Sequence, residues 1–280
     1  MRQQPQHPPQ QEVHEGVPPL ALAFAAGLAA LGIGPGQVVA VMDWDTHRYF
    51  EAFFAVPMMG AVLHTVNIRL APAQIAYTID HAEDDVILVH ADFLPLLSEV
   101  MKLVTRKVRL ILLCDDASVQ PESDLSFITS YDEMMEQGLD GFEFQDFDEN
   151  TRATTFYTTG TTGEPKGIVQ SHGMRWSHIQ RGLTMGYGPD CRTLMSTPLY
   201  SNTTLVSFLP TIGLGGTVVI MAKFDAERYL KLAQENRITH TMLVPVQYQR
   251  IMARPDFDSY DLSSYMMKFS TSAPFHAELK

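Results

Sequence analysis

Residues 157–167 read Tyr157-Thr158-Thr159-Gly160-Thr161-Thr162-Gly163-Glu164-Pro165-Lys166-Gly167. Hydroxyl side chains and two glycines fill the six positions from Thr158 to Gly163. Glycine lets a chain turn through positive φ and lets another group come close. Such a turn can aim several backbone N–H groups at one anion. The threonine hydroxyls add donors, and Lys166 adds a compact positive charge suited to a phosphate. The stretch therefore reads as a phosphate-holding loop, most simply for a nucleotide.

It is not an ordinary P-loop. That motif needs Gly, four residues, then Gly-Lys and a Ser or Thr that holds Mg²⁺. Counting from Gly160, Pro165 stands where the second glycine belongs, and Gly167 follows Lys166. A bare Thr/Gly turn between two strands is the plainer alternative, but the ordered ending Pro-Lys-Gly counts against it.

Tyr157 to Gly167, with Ser171 and His172 after it, resembles the signature loop of the AMP-forming adenylating enzymes. That superfamily includes acyl-CoA synthetases, luciferases and peptide-synthetase adenylation domains. The resemblance extends from about Leu20 to Lys280. It implies an α/β fold, part of a large N-terminal domain, with two subdomains of mainly parallel sheet flanked by helices. The expected division is a Gln/Pro tail at 1–16, a first subdomain at 17–150 and a second at 151–280.

Bulk properties agree with a packed domain. The chain has 280 residues, 45% apolar and 19% charged, enough for one large domain or two smaller ones. A net charge of −12 argues against a nucleic-acid partner, since phosphates call for a basic patch. The two cysteines, Cys114 and Cys191, have neither disulfide-framework nor zinc spacing. A reducing cytoplasm is the expected compartment. Residues 16–42 carry no charge until Asp43. Gly32, Gly34, Pro35 and Gly36 break that run before the ~20 apolar residues a membrane helix needs. A buried Ala/Leu helix from Leu20 to Leu31 is expected, and a membrane partner is not.

Around the loop, apolar runs alternate with helical patterns. Strands are expected at 37–42, 60–65, 86–90 and 108–114, and helices at 47–59, 72–82 and 93–104; this alternation marks a parallel α/β layer. Tyr49, Phe50, Phe53 and Phe54 read as core packing. Asp84, Asp85, Asp115 and Asp116 read as solvated turn residues. Residues 117–150 are acidic and read as a surface connector with a short helix at 131–137. Beyond the loop, strands at 168–171, 217–221, 239–244 and 268–270 alternate with helices at 173–184, 225–236 and 246–254. His172 and His178 read as structural or rim residues, since six residues is not a zinc spacing on a helix. Nothing matches a Gly-x-Ser-x-Gly nucleophile elbow.

Two further stretches gain meaning from the resemblance. Pro198-Leu199-Tyr200-Ser201 aligns with the family's Pro-Leu-Phe-His beside the carboxylate substrate, with Ser201 replacing the histidine. Tyr200, Ser201, Asn202 and Thr204 are thus expected substrate-binding residues. Thr271-Ser272-Ala273-Pro274 aligns with Gly-Gly-Ala-Pro on the adenine, so Ser272, Ala273 and Pro274 join Thr158, Thr159, Gly160, Thr161, Thr162, Gly163 and Lys166 as expected nucleotide-binding residues. Lys166 is the expected catalytic charge on the pyrophosphate side.

The family pattern continues with Tyr-Gly-x-Thr-Glu, whose Glu binds Mg²⁺, an Asp for the ribose, a hinge and a mobile domain with a catalytic lysine. None of these occurs here. The resemblance thus implies about half of an enzyme that uses ATP, Mg²⁺ and coenzyme A to turn a carboxylic acid into acyl-AMP and then acyl-CoA. The acid is expected to be a medium- or long-chain fatty acid, and a second copy of the chain is a further candidate partner. The alternatives are an aryl or amino-acid adenylating enzyme, or a nucleotide-binding fragment without chemistry.

Overall fold

The structure, a computed structural model, describes residues 19–114, 122–138, 142–159, 164–221 and 223–271. Its first part runs α1 (Pro19–Ala30), β1 (Val38–Met42), α2 (His47–Met58), β2 (Val62–Thr65), α3 (Pro72–Ala82), β3 (Val86–His90), α4 (Leu94–Met101) and β4 (Arg109–Leu113). Next come β5 (Thr129–Ser130), α5 (Tyr131–Gln137), β6 (Arg152–Thr159), β7 (Pro165–Ser171) and α6 (His172–Leu183). The last part is β8 (Arg192–Met195), α7 (Asn202–Gly213), β9 (Thr217–Ile220), α8 (Ala226–Glu235), β10 (His240–Leu243), α9 (Pro245–Met252) and β11 (Met267–Ser270). The expected tail at 1–16 lies outside the described residues.

Two sheets result. The first has seven strands in the order β5-β4-β3-β1-β2-β6-β7, and the second has four in the order β11-β10-β8-β9. Every pairing is parallel except β6 with β7. The strands that flank the loop thus complete the first sheet, and the second sheet begins at β8.

The central strands are buried on both faces, as helix-covered parallel sheet requires. Period-2 alternation divides them between two cores. Val39 and Val41 point toward α1, α2 and α5. Ala40 and Met42 point toward α3 and α4. A third core, built on Leu194, Tyr229, Leu230, Leu243 and Ile251, lies in the second sheet's layer.

Helix α1 has the buried character expected, with Phe24, Ala25 and Leu28 inaccessible to solvent. Among the described residues no helix is long and apolar enough to cross a membrane. The α2 aromatics are core as expected. Phe208 of α7 stands edge-on to Phe53 at 5.2 Å and to Phe50 at 5.4 Å. That cluster joins the helix after β1 to the helix after β8.

Three expectations need correction. The acidic stretch is not merely a surface connector. β5 pairs with β4, and Tyr131 and Met134 of α5 sink into the core beside α1. Ser130 and Glu133 form a capping box that starts this helix, and its apolar side supplies the burial that the charge count hides. Asp84 is not solvated but fully buried, where it accepts from His64 Nδ1 at 2.8 Å. The pair forms because a carboxylate and an imidazole taken out of water each need a partner. Asp85 turns inward as well, accepting from the Val38 N–H at 2.9 Å; Asp115 and Asp116 lie outside the described residues. Finally, α4 stops at Met101, not near Val104.

Helix α7 had no counterpart in the sequence reading. Its Thr, Ser and Pro content hides it, and Pro210 sits inside it. Burial of Leu205, Phe208 and Leu209 overrides that weak propensity. Helix α6 runs alongside so closely that a methyl group on Gly182 would overlap the Pro210 ring.

Candidate functional site

The β6–β7 hairpin presents the quoted stretch. Tyr157 lies opposite Gly167, Thr158 opposite Lys166, and Thr159 opposite Pro165. Directly opposed residues of an antiparallel pair share a face, so Thr158 and Lys166 stand together, both exposed. Because β6 runs parallel to β2, this end of the hairpin extends from the carboxyl edge of the parallel strands. Ligands of open α/β sheets bind at that edge. Gly160, Thr161, Thr162 and Gly163 lie outside the described residues, as does the side chain of Thr159.

The hairpin stands on a buried polar base. Tyr157 is 5% exposed, and its hydroxyl is 2.8 Å from His81 Nδ1. Burial, with the Asp84 charge adding to it, pushes this phenol well above its ordinary range, so it stays neutral. Its ring packs against His64 at 5.2 Å, and His64 is held in turn by Asp84. Burial raises the Asp84 carboxyl against the pull of His64. A Cβ on Gly167 would meet the Tyr157 ring at 3.2 Å, so a side chain there requires that ring to give way.

The second stretch leaves the carboxyl end of β8. Thr204 Oγ1 lies 2.9 Å from Thr197 Oγ1 and 2.6 Å from the Pro198 carbonyl. Ser201 is the residue before α7, and its N–H donates to the Pro198 carbonyl at 2.9 Å. Asn202 Oδ1 accepts from Gln170 Nε2 at 3.1 Å, which ties α7 to β7. Of the expected acid-side residues, Thr204 is thus buried and structural in its contacts. Tyr200 is half-buried and Asn202 exposed.

One carboxylate joins these parts and a second stands two residues before it; the sequence reading passed over both. Asp45, which follows β1, accepts from the Leu199 N–H at 2.7 Å across 154 residues of chain. The carboxyl ends of β1 and β8 meet at this bond. Burial pushes Asp45 up to about 7, against the Leu199 bond and Arg69. Asp43 accepts from Thr46 Oγ1 at 2.5 Å, and burial pushes it up to about 6. Its Oδ1 has no hydrogen-bond partner among the described residues. Burial also raises the Tyr200 phenol, while Arg69 lowers it. One signal was available: Asp-x-Asp at the carboxyl end of a wholly apolar strand.

Among the described residues no three His, Cys, Asp or Glu side chains are grouped to hold a metal ion. Ser272, Ala273 and Pro274 lie outside the described residues.

Comparison with known proteins gives a consistent picture. A family model described as AMP-binding enzyme matches residues 19–280. The 3-methylmercaptopropionyl-CoA ligase of Ruegeria pomeroyi is 38% identical over 159 residues, 56% of this chain and 29% of that protein. The long-chain-fatty-acid–CoA ligase of Thermus thermophilus is 42% identical over 152 residues, 54% of this chain and 26% of that protein. The crystal structure of the anthranilate CoA ligase AuaEII in complex with anthranoyl-AMP shares the fold, with a TM-score of 0.82 at 21% identity, over 92% of this chain and 49% of that one. The chain thus spans between about a quarter and a half of the length of these proteins.

Proposed function

The chain belongs to the AMP-binding enzyme family, and from that premise we propose that it carries the ATP- and acid-holding part of an acyl-CoA ligase. The observation that carries this reading is the pairing of Thr158 with Lys166 at the carboxyl edge of the first sheet. In support, Asp45 at the carboxyl end of β1 holds the Leu199 N–H, next to Tyr200.

In the first step a substrate carboxylate oxygen attacks the α-phosphorus of ATP. A P–O bond forms to the acid and the P–O bond to pyrophosphate breaks, leaving acyl-AMP. A thiol, that of coenzyme A, then attacks the acyl carbon and AMP departs. Charge collects on phosphoryl oxygens in the first transition state, so positioned donors matter more than covalent chemistry. The Lys166 ammonium and Thr158 hydroxyl would meet the leaving pyrophosphate, with Thr159 to Gly163 adding donors. The Tyr157–His81 contact would keep that hairpin end at a fixed height. Tyr200, Ser201 and Asn202 would line the acid's approach, and Arg69 favours an anion there. Ser272 to Pro274 would bound the adenine side. Mg²⁺ would supply charge on the phosphates, and no described cluster of this chain is assigned to it. Relatives that are named fatty-acid–CoA ligases support a medium- or long-chain acid. A cytoplasmic location fits the reading.

The test is ATP binding by calorimetry, followed by ATP–pyrophosphate exchange against fatty, aryl and amino acids. Binding that weakens in Lys166→Ala, and exchange that needs a fatty acid, are expected. ATP affinity indifferent to Lys166→Ala, or ATP cleavage independent of any acid, would refute the reading.

A further inference from the structure

Cys191 and His240 meet at the amino edge of the second sheet, the opposite end from Thr197 and Tyr200. Cys191 immediately precedes β8, and His240 opens β10 beside Thr193. Cys191 Sγ lies 3.1 Å from His240 Nδ1, 3.6 Å from Thr193 Oγ1 and 3.7 Å from Thr239 Oγ1. Both side chains are buried, at 4% and 1% exposure. The site is nonetheless shallow, because Pro189, Asp190 and Arg192 around it are exposed.

The proton positions follow from the partners. His240 Nε2 is 3.2 Å from the Met185 carbonyl. A carbonyl only accepts, so Nε2 carries a hydrogen. Nδ1, which also lies 2.9 Å from Thr239 Oγ1, is then the nitrogen that takes the thiol proton, after which the imidazolium donates to a thiolate. The Tyr187 ring, 4.4 Å from the imidazole, holds it in that orientation. The two titrations agree with this geometry. Burial works against a Cys191 thiolate, but hydrogen bonds from His240, Thr193 and Thr239 outweigh it and hold the thiol below its usual range. Burial works against a charged His240, but its bonds to Cys191 and Met185 outweigh that and raise it. A thiolate held by a neighbouring imidazolium is the form that oxidants attack.

We propose that Cys191, activated by His240, is a modification site: the thiol of this chain that hydroperoxides oxidise to sulfenic acid. The sulfur attacks the terminal peroxide oxygen. An S–O bond forms as the O–O bond breaks, and sulfur gives up two electrons to the peroxide. The leaving hydroxide or alkoxide takes the imidazolium proton and departs as water or alcohol. This site is independent of the acyl-CoA ligase reading.

The 280-residue chain is treated with hydrogen peroxide at pH 7 in the presence of dimedone, and labelled peptides are mapped by mass spectrometry. Cys114, which follows β4 in the other sheet, is the internal comparison. Cys191 is expected to label at least about tenfold faster than Cys114, and about tenfold more slowly in His240→Gln than in the wild type. Equal rates in the wild type and a folded His240→Gln would overturn the proposal. Should that variant fail to fold, the wild-type chain decides: label on Cys114 alone, or on Cys191 only in denaturant, overturns it equally.

Discussion

Asp45→Asn isolates the bond between the two carboxyl edges from the charge that burial makes costly. Asparagine keeps an Oδ1 to accept from the Leu199 N–H, now 2.7 Å from the carboxylate, but has no proton to lose. In the folded chain Asp45 is raised from 3.8 to about 7 by burial. The folded state therefore holds a proton that the unfolded state has released, at every pH between those two values. Where the native state binds more protons, stability falls as pH rises. At about 1.4 kcal/mol per unit, the whole shift is worth at most about 4 kcal/mol, of which about 3 is lost between pH 5 and pH 8. Urea unfolding of wild type and variant at those two pH values checks this. The stability difference between the variant and the wild type should move by about 3 kcal/mol in the variant's favour from pH 5 to pH 8, with unchanged m-values. Removing the Asp45 charge also relieves Asp43, which acts in the same direction. Parallel pH profiles for the two proteins would refute the argument, because they would mean that Asp45 stays ionised in the fold.

Three other perturbations are decided by the same contacts. Lys166→Ala touches an exposed side chain, so thermal unfolding should barely move, while acid-dependent pyrophosphate exchange falls about 10²- to 10³-fold, the usual cost of losing one charge-stabilising donor. Phe208→Ala empties the ring cluster that links α2 to α7 and should cost about 3–5 kcal/mol in denaturant unfolding. Gly167→Ala brings a methyl group to 3.2 Å from the Tyr157 ring. It should cost about 1–3 kcal/mol and weaken nucleotide binding, as read by melting and by calorimetry.

Local chemistry made much of this architecture legible. β3 fell on Val86–His90 because four apolar residues, Val86 to Val89, follow an Asp pair. α3 fell on Pro72–Ala82 because proline marks its first turn. α5 fell on Tyr131–Gln137, with Ser130 and Glu133 forming its capping box. The family was legible because the residue types of the Tyr157–Gly167 stretch have few other uses in that order. What escaped was long-range. Asp45 finds Leu199 across 154 residues, and no local pattern encodes that meeting. Asp84 looked like a turn residue because its partner, His64, lies on another strand. Helix α7 escaped because its residues become helical by burying one side against α2, which propensity does not measure.

The tight seating of α6 on α7 has a mechanical meaning. Pro210 fills the notch that Gly182 leaves open, so neither helix can slide or roll past the other without collision. The first leaves β7 at Ser171, the end of that strand away from Lys166, and the second begins just after Tyr200. Interlocked in this way, the two helices form a single rigid piece, and a strain that shifted one would have to carry the other with it.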